Sequence, residues 1–176
     1  MSKTIRVDVM SPESIEAAVR ELRDYAKWVE SKAEELRKRV AYLIATNARD
    51  IFNYAQAEDL IGEGFVSGSV EVKVKPDEGG VTLVIADGED AVFMEFGAGV
   101  YHNGPVGSSP NPLGADLGFT IGSYSKSHPE KEVWGFYGAD GKVHITHGTP
   151  ASMPLYRSVQ AVVGNIVQIA REVFNT

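Results

Sequence analysis

The sequence of 176 residues contains no cysteine. This absence excludes disulfides, thiolate metal ligands and a cysteine nucleophile, so stability must come from packing. No apolar run approaches the roughly 18 residues that a membrane-spanning helix needs, and the first residues lack the apolar stretch of a signal peptide. We therefore expect no membrane partner and no signal-directed secretion.

Basic residues are also scarce, because 17 Lys and Arg stand against 24 Asp and Glu, for a net charge of −7. This sign disfavours non-specific capture of a phosphate backbone. The densest basic cluster alternates with acidic residues at helical spacing, which is typical of a solvated, self-paired helix face. That cluster comprises Lys32, Glu34, Glu35, Arg37, Lys38 and Arg39.

The remaining composition is that of a globular protein, with 43% hydrophobic and 23% charged residues. A chain of this length has room for one well-formed core but not for two ordinary domains. We therefore expect a single domain over residues 1–176.

A long helix is predicted to start at Ser11, which precedes Pro12 and Glu13 in the order of an N-cap, a first-turn proline and a first-turn acid. No glycine or proline interrupts residues 13–57. Unbroken, this helix would be on the order of 65 Å long, well beyond the width of a compact domain of this size. Either it breaks near Ser31, or it projects and meets a partner.

An apolar stripe with alternating spacings of four and three runs along this helix, which is the 3.5-residue period of a helix-packing seam. Its members are Leu22, Ala26, Val29, Ala33, Leu36, Val40 and Leu43. The stripe is compatible with a core face of the same chain and with a seam between subunits.

Alternating residues predict a first strand over 4–9 and a hairpin formed by 69–75 and 81–86, with the turn at 76–80. Val81, Leu83 and Ile85 share one face of that hairpin. Residues 91–96 are compatible with a short strand or with one helical turn.

Glycine and proline punctuate residues 97–131 so heavily that no regular element can persist. The apolar side chains within it argue against a simple linker. We therefore expect an extended loop or arm that becomes ordered against another surface.

A second hairpin is predicted around Asp140-Gly141, followed by an amphipathic helix that closes the chain. Together these elements predict an α+β fold. In it, the long N-terminal helix and a C-terminal helix pack on a mostly antiparallel sheet that carries the long Gly/Pro-rich loop.

The candidates for catalysis are weak. His144 and His147 lie three apart on a predicted strand and its exit, where alternation sends them to opposite faces. His102 and His128 lie in the loop at no fixed spacing from a carboxylate, and Glu95 stands alone. We therefore expect no catalytic, cofactor-binding or metal site, and no enzyme.

Two groups of motifs resemble the tail-completion or head-to-tail joining proteins of tailed phages. The first is a Glu-Phe-Gly turn, and the second is an aromatic hairpin followed by a Gly-x-Pro-Ala-x-x-Pro helix start. The matching positions are Phe93, Glu95, Phe96, Gly97, Gly99, Trp134, Phe136, Tyr137, Gly148, Pro150, Ala151, Pro154 and Tyr156.

The resemblance implies a structural virion protein, made in the bacterial cytoplasm and built into the neck of a phage or prophage particle. It implies a homo-oligomeric ring, a hexamer in that family, between the tail tube or tail terminator and the head connector or stopper. DNA would pass through such a ring without specific binding. The alternatives are a small phage-associated, metal-dependent hydrolase and a non-enzymatic peptide-binding module.

Overall fold

The computed structural model describes residues 4–57, 70–76, 79–88, 90–99, 109–117, 134–137, 141–146 and 148–175. Its helices are α1 (Pro12–Ala57), α2 (Ala91–Phe96), α3 (Pro154–Gly164) and α4 (Ile166–Phe174). Its strands are β1 (Glu71–Pro76), β2 (Thr82–Asp87), β3 (Ala98–Gly99), β4 (Trp134–Tyr137), β5 (Val143–Thr146) and β6 (Gly148–Thr149). The predicted α+β class is confirmed.

Helix α1 begins where the sequence predicts. The Ser11 hydroxyl accepts a hydrogen bond from the Ser14 backbone N–H at 3.2 Å, as an N-cap does. The helix then runs without a break for 46 residues, or about 69 Å at 1.5 Å per residue. Of the two alternatives that its length allowed, the break near Ser31 does not occur. The predicted first strand over residues 4–9 is wrong, because the described part of that segment is irregular and ends in a turn.

Strands β1 and β2 form the predicted antiparallel hairpin, in which Val74 is paired with Val84. Gly79 and Gly80 in its turn have φ of +86° and +81°, a conformation that favours glycine. The Arg49 guanidinium ties the hairpin to α1, since its Nε and Nη2 atoms donate to the Val72 carbonyl at 3.1 and 2.6 Å.

The main core lies where the C-terminal half of α1 meets the hairpin, α2 and the start of α3. Small residues on α1 allow close approach, and Phe52, 1% exposed, fills the centre. Its buried members are Ala45, Ala48, Phe52, Ala55, Val72, Ala91 and Met94.

The two faces of the hairpin differ in a way that alternation alone does not predict. Val84 and Ala86 pack against the core. Val81, Leu83 and Ile85 do share a face, as predicted, but that face is exposed.

The predicted single closing helix is instead two helices, which meet at Asn165. They run antiparallel to α1, so that Arg39 pairs with Glu172 near the end of α4. Trp28 then contacts the ring of Phe174 edge-on, with centroids 5.8 Å apart.

Candidate functional site

Glu95 is the buried charged residue around which the resemblance motifs converge. It lies on α2 and is 6% exposed. Its carboxylate accepts hydrogen bonds from the Leu155 N–H (2.8 Å, Oε2) and the Tyr156 N–H (2.9 Å, Oε1). A third comes from Asn111 Nδ2, at 2.9 Å to Oε1. We refer to Glu95 and these three partners as the Glu95 clasp.

The clasp supplies what the sequence of α3 lacks. Met153, the residue before Pro154, has no side-chain acceptor for a cap and adopts a left-handed φ of 52°. The first backbone N–H groups of a helix have no partner within it. Glu95 provides an acceptor for two of them, and its negative charge faces the positive end of the helix dipole.

The backbone of α2 strengthens the same junction. The Met94 carbonyl accepts hydrogen bonds from the N–H groups of Ser152 and Met153, at 2.9 and 3.1 Å, and from the Ser152 hydroxyl. Gly99 of β3 pairs with Gly148 of β6. The Glu-Phe-Gly turn and the helix-start motif, about sixty residues apart, are therefore one structural unit.

Part of the predicted arm also belongs to this unit. Asn111 is 1% exposed, and its Oδ1 atom accepts from the Leu113 N–H at 3.0 Å. The Ser109 hydroxyl donates to the Phe96 carbonyl at 2.6 Å. Residues 97–99 and 109–117 of the arm are thus held against the body, and its remaining residues lie outside the described part.

The ionisation of Glu95 reflects two opposing effects. Burial raises the pKa of its carboxyl, because a charge is harder to hold away from water, and the three N–H donors oppose that rise. Both carboxylate oxygens are engaged by the clasp. Metal ligation or proton transfer by Glu95 would therefore have to release the N-terminus of α3.

The aromatic motif forms a separate two-stranded hairpin of β4 and β5, with Trp134 paired to Thr146 and Phe136 to His144. Tyr137 is exposed and His144 is half-buried. The other three histidines lie outside the described residues. Among the residues described, no group of three or more His, Asp or Glu is placed to hold a metal ion.

The structure also places the other motif residues. Phe93 is exposed, Phe96 half-buried and Gly97 buried at the end of α2, while Pro150, Ala151 and Tyr156 are half-buried and Pro154 is buried. Asn111, Ser109 and Ser152 carry no local sequence signal of their own for these contacts and were not predicted. A signal for the clasp was present, because a helix that starts at Pro154 after a methionine needs an acceptor from elsewhere.

No helix among the described residues is long and apolar enough to cross a membrane. Comparisons with protein-family models, with curated proteins and with solved structures found no match for this chain.

Proposed function

We propose that this chain is a structural assembly protein of a phage or prophage neck. In this role it forms a homo-oligomeric ring between the tail tube or tail terminator and the head connector or stopper. The observation that supports this proposal best is that the domain leaves two separate apolar faces exposed. A ring needs two different faces on each subunit, because its contacts are head-to-tail.

The first of these faces is the outer side of the β1–β2 hairpin, which we call the hairpin face. It consists of Val81, Leu83 and Ile85, and Leu83 is 39% exposed. A salt-bridge cluster borders it, in which Lys73 Nζ lies 3.0 Å from Glu71 and 2.9 Å from Asp87. Lys73 and Lys75 lie opposite Ile85 and Leu83 in the hairpin, so the apolar row of β2 runs beside a charged row of β1 on the same face. An interface on this face would bury the apolar row and leave the charged row at its edge.

The second face is a stripe on α3 and α4, which we call the valine stripe. Val159, Val163 and Val167 recur every four residues and are all exposed, Val163 by 56%. The neighbouring positions Ser158 and Val162 are buried within the chain. Contiguous apolar surface of this kind typically marks an interaction site.

The Glu95 clasp supports the same proposal. Glu95 fixes the start of α3 through the Leu155 and Tyr156 N–H groups. The motif residues therefore have a structural role, which is to determine the position of the valine stripe. An assembly protein needs such fixed faces.

Charge supports the proposed passage of DNA. Within the basic cluster, Lys32 Nζ lies 3.0 Å from Glu35 and Lys38 Nζ lies 2.6 Å from Glu34. Counterion release rewards cations that are available to phosphates. We therefore expect little duplex binding at about 150 mM salt, where specific complexes commonly reach roughly 10⁻⁸ M; a fluorescence anisotropy titration measures it.

The ring itself is tested by electron microscopy and native mass spectrometry of the metal-free protein over a concentration series. We expect closed rings at high concentration, lost in Val163→Glu and in Leu83→Glu. Gln160→Glu, which adds the same charge at an exposed position of α3, is the matched control and should retain them. Rings that survive both face variants would overturn this arrangement, and stoichiometric bound zinc would favour the hydrolase instead.

A further inference from the structure

The apolar stripe of α1 extends beyond the part of the helix that α3 and α4 cover. Ile15 and Val19 continue the alternation of four and three upstream of Leu22. Because Trp28 meets Phe174 at the end of α4, residues 12–27 of α1 reach further than α4 does. At 1.5 Å per residue this extension is roughly 24 Å long.

Exposure changes along the stripe accordingly. From Val29 to Leu43 its members are half-buried. Ile15, Val19 and Leu22 are exposed, Leu22 by 56%. A 3.5-residue stripe is a seam for knobs-into-holes packing with another helix, and its upstream part is not covered by α3 or α4.

We propose that residues 12–28 of α1 pair with the same segment of a second copy as an antiparallel two-helix coiled coil. In the register that places Val19 against the partner's Leu22, Ile15 lies against the partner's Ala26. Two-fold symmetry repeats both layers. All four apolar layers are thereby filled by apolar side chains.

The charges beside the seam fit this register. Glu16 and Arg23 occupy equivalent flanking positions one heptad apart. Glu16 also lies 3.8 Å from Arg20 Nη1 of its own helix, in a pair that is exposed and leaves its carboxylate accessible to a second cation. Glu16 and Arg23 each directly follow an apolar residue of the seam, and in an antiparallel pair such equivalent positions of the two helices lie beside each other. Glu16 therefore lies beside the partner's Arg23, and two-fold symmetry produces this ion pair twice. The opposite flank offers Tyr25 and Ala18, neither of them charged, and Ala18 is already buried within its own chain.

The length of the free segment also selects the antiparallel arrangement. In this register the partner's Pro12 lies opposite Val29, close to the level at which α4 ends. The partner's helix thus follows on from α4 along the same seam. A parallel pair would bring both copies of α3 and α4 to the same end of the joined helices. If the parallel contact continued downstream along α1, it would also place Lys32 beside the partner's Arg37, which is a contact between like charges.

This contact is two-fold symmetric and uses neither the hairpin face nor the valine stripe. It therefore does not depend on the proposed ring, whose contacts are head-to-tail. The two associations are separable by mutation: Leu22→Glu should remove the pair, whereas Val163→Glu should leave it intact.

Charge exchange tests the register, with sedimentation equilibrium of the full chain in the Val163→Glu background as the readout. Glu16→Arg and Arg23→Glu should each weaken the dimer by about tenfold or more, since each change sets two like-charge contacts in place of two ion pairs. The double exchange should return the dissociation constant to within about threefold. The proposal would be overturned if the double variant did not regain dimerisation, or if the chain with an unchanged seam stayed monomeric at about 100 μM.

Cross-linking tests the direction of the helices, because the chain has no cysteine of its own. A mixture of Glu16→Cys and Arg23→Cys chains treated with a short bismaleimide should give covalent dimers. Either variant alone should give few, because each position faces the other one across the seam. Efficient cross-linking of Glu16→Cys to itself would contradict the antiparallel register.

Discussion

Replacing Glu95 with glutamine tests whether the clasp stabilises the fold. The substitution preserves shape but removes the charge and turns one acceptor oxygen into an N–H donor. If the amide oxygen occupies the Oε1 position, it keeps the bonds from Asn111 and Tyr156. The amide nitrogen then faces the Leu155 N–H, so that two donors oppose each other where the wild type has a 2.8 Å hydrogen bond.

The loss can be estimated from these contacts. Because burial outweighs the three donors and the pKa of Glu95 is raised, removal of the charge does not by itself destabilise the fold. The expected loss comes from the Leu155 N–H, which loses its acceptor, and a buried donor without a partner costs about 1–3 kcal/mol. We therefore expect Glu95→Gln to lower the free energy of unfolding by about 1–3 kcal/mol, and Glu95→Ala, which also removes the acceptor for Asn111 and Tyr156, by more.

Urea unfolding followed by circular dichroism measures this loss, with Glu34→Gln as the control. Glu34 is an exposed carboxylate paired with Lys38 across one helical turn, so its replacement should change the stability little, since water and salt screen an exposed ion pair. If Glu95→Gln proves as mild as Glu34→Gln, the clasp does not hold α3 and its proposed structural role is wrong.

Three further predictions use the same unfolding assay. Because the pKa of Glu95 is raised, the folded protein binds the Glu95 proton more tightly than the unfolded chain does, and the contribution of Glu95 to stability falls as the pH rises from about 4.5 through the folded pKa. The difference in unfolding free energy between wild type and Glu95→Gln should therefore be larger at about pH 4 than at about pH 7. A smaller difference at acid pH would refute this sign. Phe52→Ala should cost about 3–5 kcal/mol in the core, whereas Leu22→Ala, 56% exposed in the single chain and measured at a concentration at which the chain is monomeric, should cost under about 1 kcal/mol. A Cβ added at Gly141 or at Gly164 would meet no atom within 4 Å, so the two positions differ only in their backbone. Gly141→Ala should destabilise the protein by about 1–2 kcal/mol because the φ of Gly141 is +73°, whereas Gly164→Ala at the end of α3 should be neutral or stabilise it by up to about 1 kcal/mol. Equal effects would contradict the backbone explanation.

The features that were predictable from the sequence are local ones. Ser11, Pro12 and Glu13 mark the start of α1 because a helix N-terminus is satisfied by residues within its own first turn. The first hairpin follows from alternation and from Gly79-Gly80 at its turn. Each signal lies within a few residues of the element that it specifies.

The features that were not predictable depend on distant contacts. Glu95 caps a helix about sixty residues away, and no local spacing links it to Asn111. Alternation alone predicts neither which face of a strand is buried, as with Leu83, nor whether a strand finds a partner, as with residues 4–9. The interruption at Asn165 is equally hidden, because the apolar spacing continues across it.

Electron microscopy of tailed particles from the host that encodes this chain tests whether the chain forms a ring at the neck. With a tag at the N-terminus of the chain and labelled antibody, we expect density in a ring at the junction of head and tail. Particles in which Val163→Glu replaces the wild type should lack that ring and separate into heads and tails, whereas Gln160→Glu particles should stay joined. Complete, infectious particles that contain none of this chain would refute the proposed function.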